Sequence, residues 1–121
     1  MATDSHAELQ AELSDIDRMF VELTAAVGMD MRDELLALFF PTLDECVAGL
    51  VAAIPAAETT VIIGFAHKLK GAAAQLGASR LAAYSRAIEV AAKNADMAEA
   101  AQQFELTQAL GVALAARLRV A

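Results

Sequence analysis

The residue best placed for chemistry is His67, because small residues surround it on one side of a predicted helix. With about 100° of rotation per residue, Gly64, Gly71 and Ala74 fall within about 60° of His67 on a helical wheel. The large apolar residues of the same segment, except Ile63, fall on the opposite side, so the imidazole is predicted to face water. A glycine inside a helix costs about 1 kcal/mol relative to alanine. Two glycines beside one exposed imidazole therefore indicate that another molecule approaches the ring closely.

Lys70 follows His67 by one helical turn, which makes the two side chains neighbours on the helix surface. Neutral imidazole is a nucleophile near pH 7, and a phosphoryl group bound to it brings about two negative charges. A nearby ammonium group stabilises those charges and the charge that develops during transfer, while Gly71 leaves room for the incoming group. This spacing suits a phosphoryl group carried on His67. Lys68 is a solvated lysine that at most adds positive charge at the rim. Gln75 is either a surface glutamine or a contact to a partner or, through water, to the phosphoryl group.

A reactive imidazole needs a neighbouring group that fixes its second nitrogen. Glu89 is the candidate, because it lies at the edge of the buried stripe of the next predicted helix. His67 lies nine residues before Leu76, and Glu89 lies eight residues after Leu81. If the two helices are antiparallel, these side chains reach the same level. We therefore expect the Glu89 carboxylate to accept a hydrogen bond from Nδ1–H of His67 and to leave Nε2 exposed.

Apolar residues at intervals of three and four predict five helical runs. The first spans about 8–27. The second begins after Asp30 as its N-cap and ends at Pro55, and Pro41 predicts a kink, or a break near Phe40. The other three runs are predicted from Thr59 or Thr60 to Gly77, from the cap Ser79 to about Lys93, and from Met97 to about Arg119, with Asp96 and Glu99 as a capping pair.

These runs predict an all-α fold: an up-down antiparallel four-helix bundle formed by the last four helices, with an additional N-terminal helical segment that covers one end. We expect a single domain over residues 1–121, with the bundle core at roughly 30–119. The buried stripe of the second run is predicted to comprise Leu35, Leu38, Phe39, Leu43, Cys46, Val47, Leu50 and Ile54.

Composition narrows the class of partner. The chain has 121 residues and a formal charge of −7, which argues against nucleic acid binding and favours a protein partner. The single cysteine, Cys46, is predicted to be a buried small hydrophobe, which fits a reducing compartment. The N-terminus lacks the pattern of a secretory signal, and the apolar stretch 50–66 contains Pro55 and Glu58. We therefore expect a cytoplasmic protein that does not span a membrane.

The segment around His67 resembles the histidine-containing phosphotransfer (HPt) domain of bacterial phosphorelays. The family pattern Ala-His-x-Leu-Lys-Gly-x-Ala-x-x-Leu-Gly, followed by a leucine and an acidic or amide residue, is matched by Ala66, His67, Leu69, Lys70, Gly71, Ala73, Leu76, Gly77, Leu81 and Glu89. The resemblance implies a four-helix bundle, phosphorylation of His67 at Nε2, support of the phosphoryl group by Lys70, and orientation of the ring by Glu89.

The same resemblance implies the partners of the chain. These are receiver domains of response regulators and a hybrid histidine kinase, and the protein itself would be a monomeric phosphocarrier without kinase activity or a cofactor. The receiver would supply the aspartate and the Mg²⁺ ion. Ile63 and Ala74 are predicted to form an apolar rim for receiver docking. Leu36 and Phe40 are secondary docking candidates, although core burial is favoured for Phe40.

Two other functions compete with phosphotransfer. The chain would act as a non-catalytic adaptor if it bound a receiver or kinase without accepting phosphate, but the complete set of His67, Lys70 and Gly71 argues against that hypothesis. A metal or haem bundle ranks far behind, because the chain has two histidines and lacks paired Glu-x-x-His motifs.

Overall fold

A computed structural model describes residues 2–119 of the chain, and the side chains of residues 5–119. All elements within that range are helices. They are α1 (Ala2–Val27), α2 (Arg32–Ala53), α3 (Thr59–Leu76), α4 (Ser79–Lys93) and α5 (Met97–Arg119). The bounds agree with the predicted runs except at α1, which begins at Ala2 and not near residue 8. Its first residues carry no large apolar periodicity, so the sequence pattern detects the helix only from Leu9 onwards.

Pro41 lies inside α2, yet the helix is continuous from Arg32 to Ala53. The sequence predicts either a kink at Pro41 or a break near Phe40, and the break is absent. Pro41 is exposed, as is Ala37, whose carbonyl loses its helical donor at the proline. Because this part of α2 faces solvent, water can satisfy that carbonyl, and the helix tolerates the proline.

The predicted stripe of α2 is wrong at one residue. Leu38 is 69% exposed, whereas Leu36 is buried in the core. On a helix, Leu36 lies one turn before Phe39 and two turns before Leu43. It therefore belongs to the same buried row as these two residues, whereas Leu38 lies outside that row.

The core consists of two apolar clusters, one towards each end of the bundle. The first cluster includes Ile16 and Phe20 of α1, so the N-terminal helix covers that end as expected. Fully buried Cys46 belongs to it, and burial raises the pKa of this thiol to about 11. The second cluster comprises Leu50, Ala53, Ile54, Ile62, Ala66, Ile88, Ala92 and Phe104.

The helix α4 begins differently from the prediction. Ala78, not Ser79, occupies the N-cap position and makes no side-chain cap bond. The Ser79 hydroxyl instead donates to Asp15 Oδ2 at 3.2 Å. The cap of α4 comes from α1, because the carboxylate of Glu12 accepts the backbone N–H groups of Arg80 at 3.0 Å and Leu81 at 2.7 Å. Glu12 thus ties the N-terminal helix to the start of α4.

The predicted caps of α2 and α5 show two further outcomes. Met31, not Asp30, occupies the N-cap position of α2, although Asp30 Oδ1 accepts the N–H of Arg32 at 2.9 Å. At α5, Asp96 Oδ1 accepts the N–H of Glu99 at 3.0 Å, as the capping pair predicts. The Glu99 side chain accepts from Gln103, one turn further along the helix.

Among the described residues, α2 is the one helix whose length and composition would also suit a membrane span. It carries a row of buried residues that packs against the other helices. That property is typical of a core helix of a bundle.

Candidate functional site

His67 lies in the middle of α3, and its side chain is 69% exposed. Its Nδ1 lies 3.5 Å from Oε2 of Glu89 on α4. This separation is somewhat longer than an ordinary N–H···O hydrogen bond, which spans about 2.7–3.2 Å. The carboxylate is therefore beside Nδ1 without a formed hydrogen bond, and Nε2 is the ring nitrogen that Glu89 does not approach.

Glu89 is nearly buried, with 9% of its side chain exposed. Lys70 Nζ donates to its Oε1 at 3.0 Å, and Lys93 Nζ lies 3.2 Å from its Oε2. Burial by itself would raise the pKa of this carboxyl group, but the hydrogen bonds from Lys70 and Lys93 outweigh it and lower the pKa. Glu89 is thus an ionised carboxylate at neutral pH, surrounded by the imidazole and two ammonium groups.

The two glycines beside His67 have no packing reason inside the protein. A Cβ atom added at Gly64 or at Gly71 would meet nothing within 4 Å. Since glycine costs about 1 kcal/mol in a helix, both positions lose stability without any gain in packing. The open surface that they leave lies around the exposed imidazole.

Gly49 on α2 has the opposite character. A Cβ atom there would overlap the ring of Phe65 on α3. Gly49 therefore lets Phe65 pack directly on the α2 backbone, and it sets how closely α3 approaches α2. This role is not visible in the sequence, because an isolated glycine in a helical run gives no indication of its partner.

The remaining rim residues differ in their solvent exposure and in their contacts with the rest of the protein. Ala74 and Gln75 are exposed, and Ile63 is half-buried against the second apolar cluster. Lys68 forms an ion pair with Glu45 of α2, and the hydrogen bond from that pair raises the Lys68 pKa. Lys68 is therefore already paired.

The secondary docking candidates on α2 lie elsewhere than expected. Leu36 is buried, so it is unable to form a docking surface. Phe40 is half-buried, so the favoured core burial is reached only in part, and the guanidinium carbon of Arg119 lies 4.4 Å from its ring centroid. Exposed Leu38 instead borders a groove of about 80 Å³ between α2 and α3, which Gln75 also lines. Sequence reasoning missed Leu38 because it assigned this residue to the core.

Lys93 belongs to the site as well, although the sequence pattern predicts it only as the end of α4. It follows Glu89 by four residues. That spacing brings oppositely charged side chains together on a helix, so the pattern could have identified it. Within residues 2–119, no group of three or more His, Cys, Asp and Glu side chains is arranged to hold a metal ion.

Comparisons with known proteins identify the family of the chain. The model of the Hpt domain matches residues 34–119, which include nearly all of α2 and the whole of α3, α4 and α5. No curated protein and no solved structure matches the chain. Hpt domains are phosphocarrier modules of phosphorelays that interact with receiver domains and kinases. Because the match covers well over half of the chain, the protein belongs to the Hpt domain family.

Proposed function

We propose that this protein accepts a phosphoryl group on Nε2 of His67 from the aspartate of a receiver domain and passes it to the aspartate of another receiver. The observation that carries the proposal is the set of contacts at Glu89. This one buried carboxylate lies 3.5 Å from Nδ1 of His67 and 3.0 Å from Nζ of Lys70. It thereby orients the exposed imidazole and keeps an ammonium group close to the position of the incoming phosphoryl group.

In the transfer step, the lone pair of Nε2 attacks phosphorus and forms the N–P bond, while the P–O bond to the receiver aspartate breaks and its electron pair leaves with that carboxylate. The proton on Nδ1 stays there and faces Glu89, so the carboxylate offsets the positive charge that the ring acquires. Lys70 stabilises the charge on the phosphoryl oxygens. Transfer to the next receiver is the reverse of this step.

The receiver would dock over the open surface around His67. Gly64, Gly71 and Ala74 give access to the ring, and Ile63 and Gln75 would contact the partner. Exposed Leu38 extends this surface towards α2, and Lys68 lies between the two helices in its pair with Glu45. The acceptor aspartate and Mg²⁺ would belong to the receiver, so the chain itself would need no cofactor and no kinase activity.

The proposal includes the finer arrangement of the fold. The connections between α2, α3, α4 and α5 are two to five residues long, and such short connections favour antiparallel neighbours in an up-down bundle. We propose that this bundle, at roughly 30–119, and α1 form a single domain. We further propose that it acts as a monomer in the cytoplasm.

The proposed transfer is tested by incubating the protein with a panel of receiver domains phosphorylated on their aspartate. Intact mass should increase by one phosphoryl group, and acid treatment should remove it because N–P bonds are acid-labile. His67→Gln should abolish the gain and keep the helical circular dichroism spectrum. Labelling of this variant at the wild-type level would contradict the proposal. No labelling of the wild type by any receiver would favour the adaptor hypothesis.

A further inference from the structure

The buried carboxylate of Glu89 is bound by cations from two different helices. Lys70 of α3 donates to Oε1 at 3.0 Å. Lys93 of α4 lies 3.2 Å from Oε2, which is also the oxygen that lies 3.5 Å from Nδ1 of His67. The two lysines therefore bind different oxygens of the carboxylate, and Lys93 binds the oxygen that faces the ring.

Phosphorylation of His67 would give Lys70 a second anionic group to bind. A phosphoryl group on His67 brings about two negative charges to within one helical turn of Lys70. Lys70 is then attracted away from Oε1 of Glu89 and towards the phosphoryl oxygens. A nearly buried carboxylate that loses its only cation is destabilised strongly, because its desolvation is no longer compensated.

We propose that Lys93 is a positioning residue that retains Glu89 beside Nδ1 of His67 while Lys70 binds the phosphoryl group. This inference rests on the proposed function and adds a residue to it. Lys93 acts through Glu89, so it contributes to transfer without touching the phosphoryl group. When the N–P bond forms, the ring keeps its Nδ1 proton and becomes positively charged. A retained Glu89 carboxylate stabilises that charge.

The position of Lys93 suits this role. It lies on the same helix as Glu89, four residues further along, so their pairing does not depend on how α3 moves relative to α4. Its side chain is 58% exposed, whereas that of Lys70 is 31% exposed. Lys93 is therefore able to follow the carboxylate as its surroundings change.

The pH dependence of transfer follows from the groups around Glu89. Within the described residues, the charged or titratable groups within 4.0 Å of its carboxylate are His67 and Lys70 on α3 and Lys93 on α4. Both lysines lower the pKa of Glu89. A carboxyl group with a lowered pKa is ionised above that pKa and loses its charge as the pH falls through it. Removal of Lys93 should therefore make transfer fail at a higher pH than in the wild type.

The experiment compares Lys93→Met, which keeps the aliphatic stem, with Lys93→Arg, which keeps the charge. The matched control is Arg86→Met, which removes one positive charge from an exposed position on α4 that is not among the cations at Glu89. Each variant is phosphorylated by one phosphorylated receiver domain between pH 4 and pH 8, so that the range reaches the acid limb of Glu89. The rate is divided by the wild-type rate at the same pH, so the receiver's own pH dependence cancels. Circular dichroism verifies that every protein is folded.

We expect Lys93→Met to reduce the rate about threefold at pH 7.5 and by about a further twofold at pH 4, because an acid limb that moves up by about 0.5 pH unit lowers the ionised fraction of Glu89 only near or below its pKa. Lys93→Arg and Arg86→Met should stay close to the wild-type rate throughout. A Lys93→Met ratio near one, or one that is equal at every pH, would overturn the role of Lys93, as would failure of arginine to restore the rate. If the wild type itself accepts no phosphoryl group, the proposed function fails, and this inference fails with it.

Discussion

Two buried carboxylates contact α4, one at its beginning and one near its end, and they are satisfied in different ways. Glu12 is 0% exposed and accepts two backbone N–H groups of α4, with the guanidinium of Arg80 at 3.4 Å. Glu89 is bound by side chains alone: two lysines and, at a longer distance, His67. Backbone donors at a helix start are fixed in place, whereas lysine side chains are free to rotate away.

This difference separates a structural carboxylate from one that is suited to a reaction. The donors of Glu12 stay where the helix holds them, and neighbouring pairs strengthen the junction. Arg80 binds Asp15 at 2.9 Å, and this hydrogen bond lowers the pKa of Asp15. Tyr84 donates a hydrogen bond to Glu8. The pKa of Tyr84 is raised to about 12, mainly by burial and in addition by this hydrogen bond. The donors of Glu89, by contrast, are able to leave it when a phosphoryl group arrives.

The largest expected effect comes from replacing each of these two carboxylates with alanine. Glu12→Ala leaves two helix N–H groups without an acceptor in a buried site, so we expect the free energy of unfolding to fall by about 3 kcal/mol. Glu89→Ala frees lysines that water can solvate, so its stability cost should stay below about 1 kcal/mol. Its phosphotransfer rate should fall about tenfold. Urea denaturation and the rate of labelling by a phosphorylated receiver measure the two quantities.

Glu22→Ala is the control for this pair, because Glu22 is an exposed glutamate on α1. It should change neither quantity. The comparison fails if folded Glu12→Ala transfers phosphoryl groups as slowly as Glu89→Ala, or if Glu89→Ala loses as much stability as Glu12→Ala.

A smaller effect is expected from two glycines that differ in their surroundings. In Gly49→Ala, the new methyl group overlaps the ring of Phe65, so we expect a loss of about 2 kcal/mol in the free energy of unfolding. In Gly71→Ala, the methyl group meets open space, so the helix should gain up to about 1 kcal/mol. The same methyl group lies where a receiver would approach His67, so transfer should slow although the protein is more stable. Thermal denaturation and the labelling rate test both parts, and unchanged transfer in Gly71→Ala would remove the assigned reason for this glycine.

The helices and their order could be predicted from the sequence, because their apolar spacing and turn residues are local features. Local features also misled the prediction at two positions. Pro41 suggested a possible break, but its exposure on α2 lets the helix continue. Ser79 has the chemistry of a cap, but its hydroxyl donates to Asp15, and Glu12 satisfies the start of α4 instead. A carboxylate that acts across 68 residues of chain leaves no pattern in a single sequence.

The candidate site likewise contains residues that local spacing predicts and residues that it does not predict. His67, Lys70, Gly64 and Gly71 share one helical face, so their proximity follows from spacing alone. The level of Glu89 could be counted through the short turn between α3 and α4, and the structure brings its carboxylate beside Nδ1 of His67. The exposure of Leu38 was not predictable in this way, because it depends on the angle at which α2 meets α3.

The most direct test of the central claim is a measurement of which ring nitrogen of His67 carries the phosphoryl group. In the phosphorylated protein, proton–phosphorus NMR correlates phosphorus with the ring protons three bonds away. Phosphorus on Nε2 has two such neighbours, Hδ2 and Hε1, whereas phosphorus on Nδ1 has only Hε1. The account predicts correlations to both protons, because Glu89 lies beside Nδ1 and leaves Nε2 free. A correlation to Hε1 alone would contradict it.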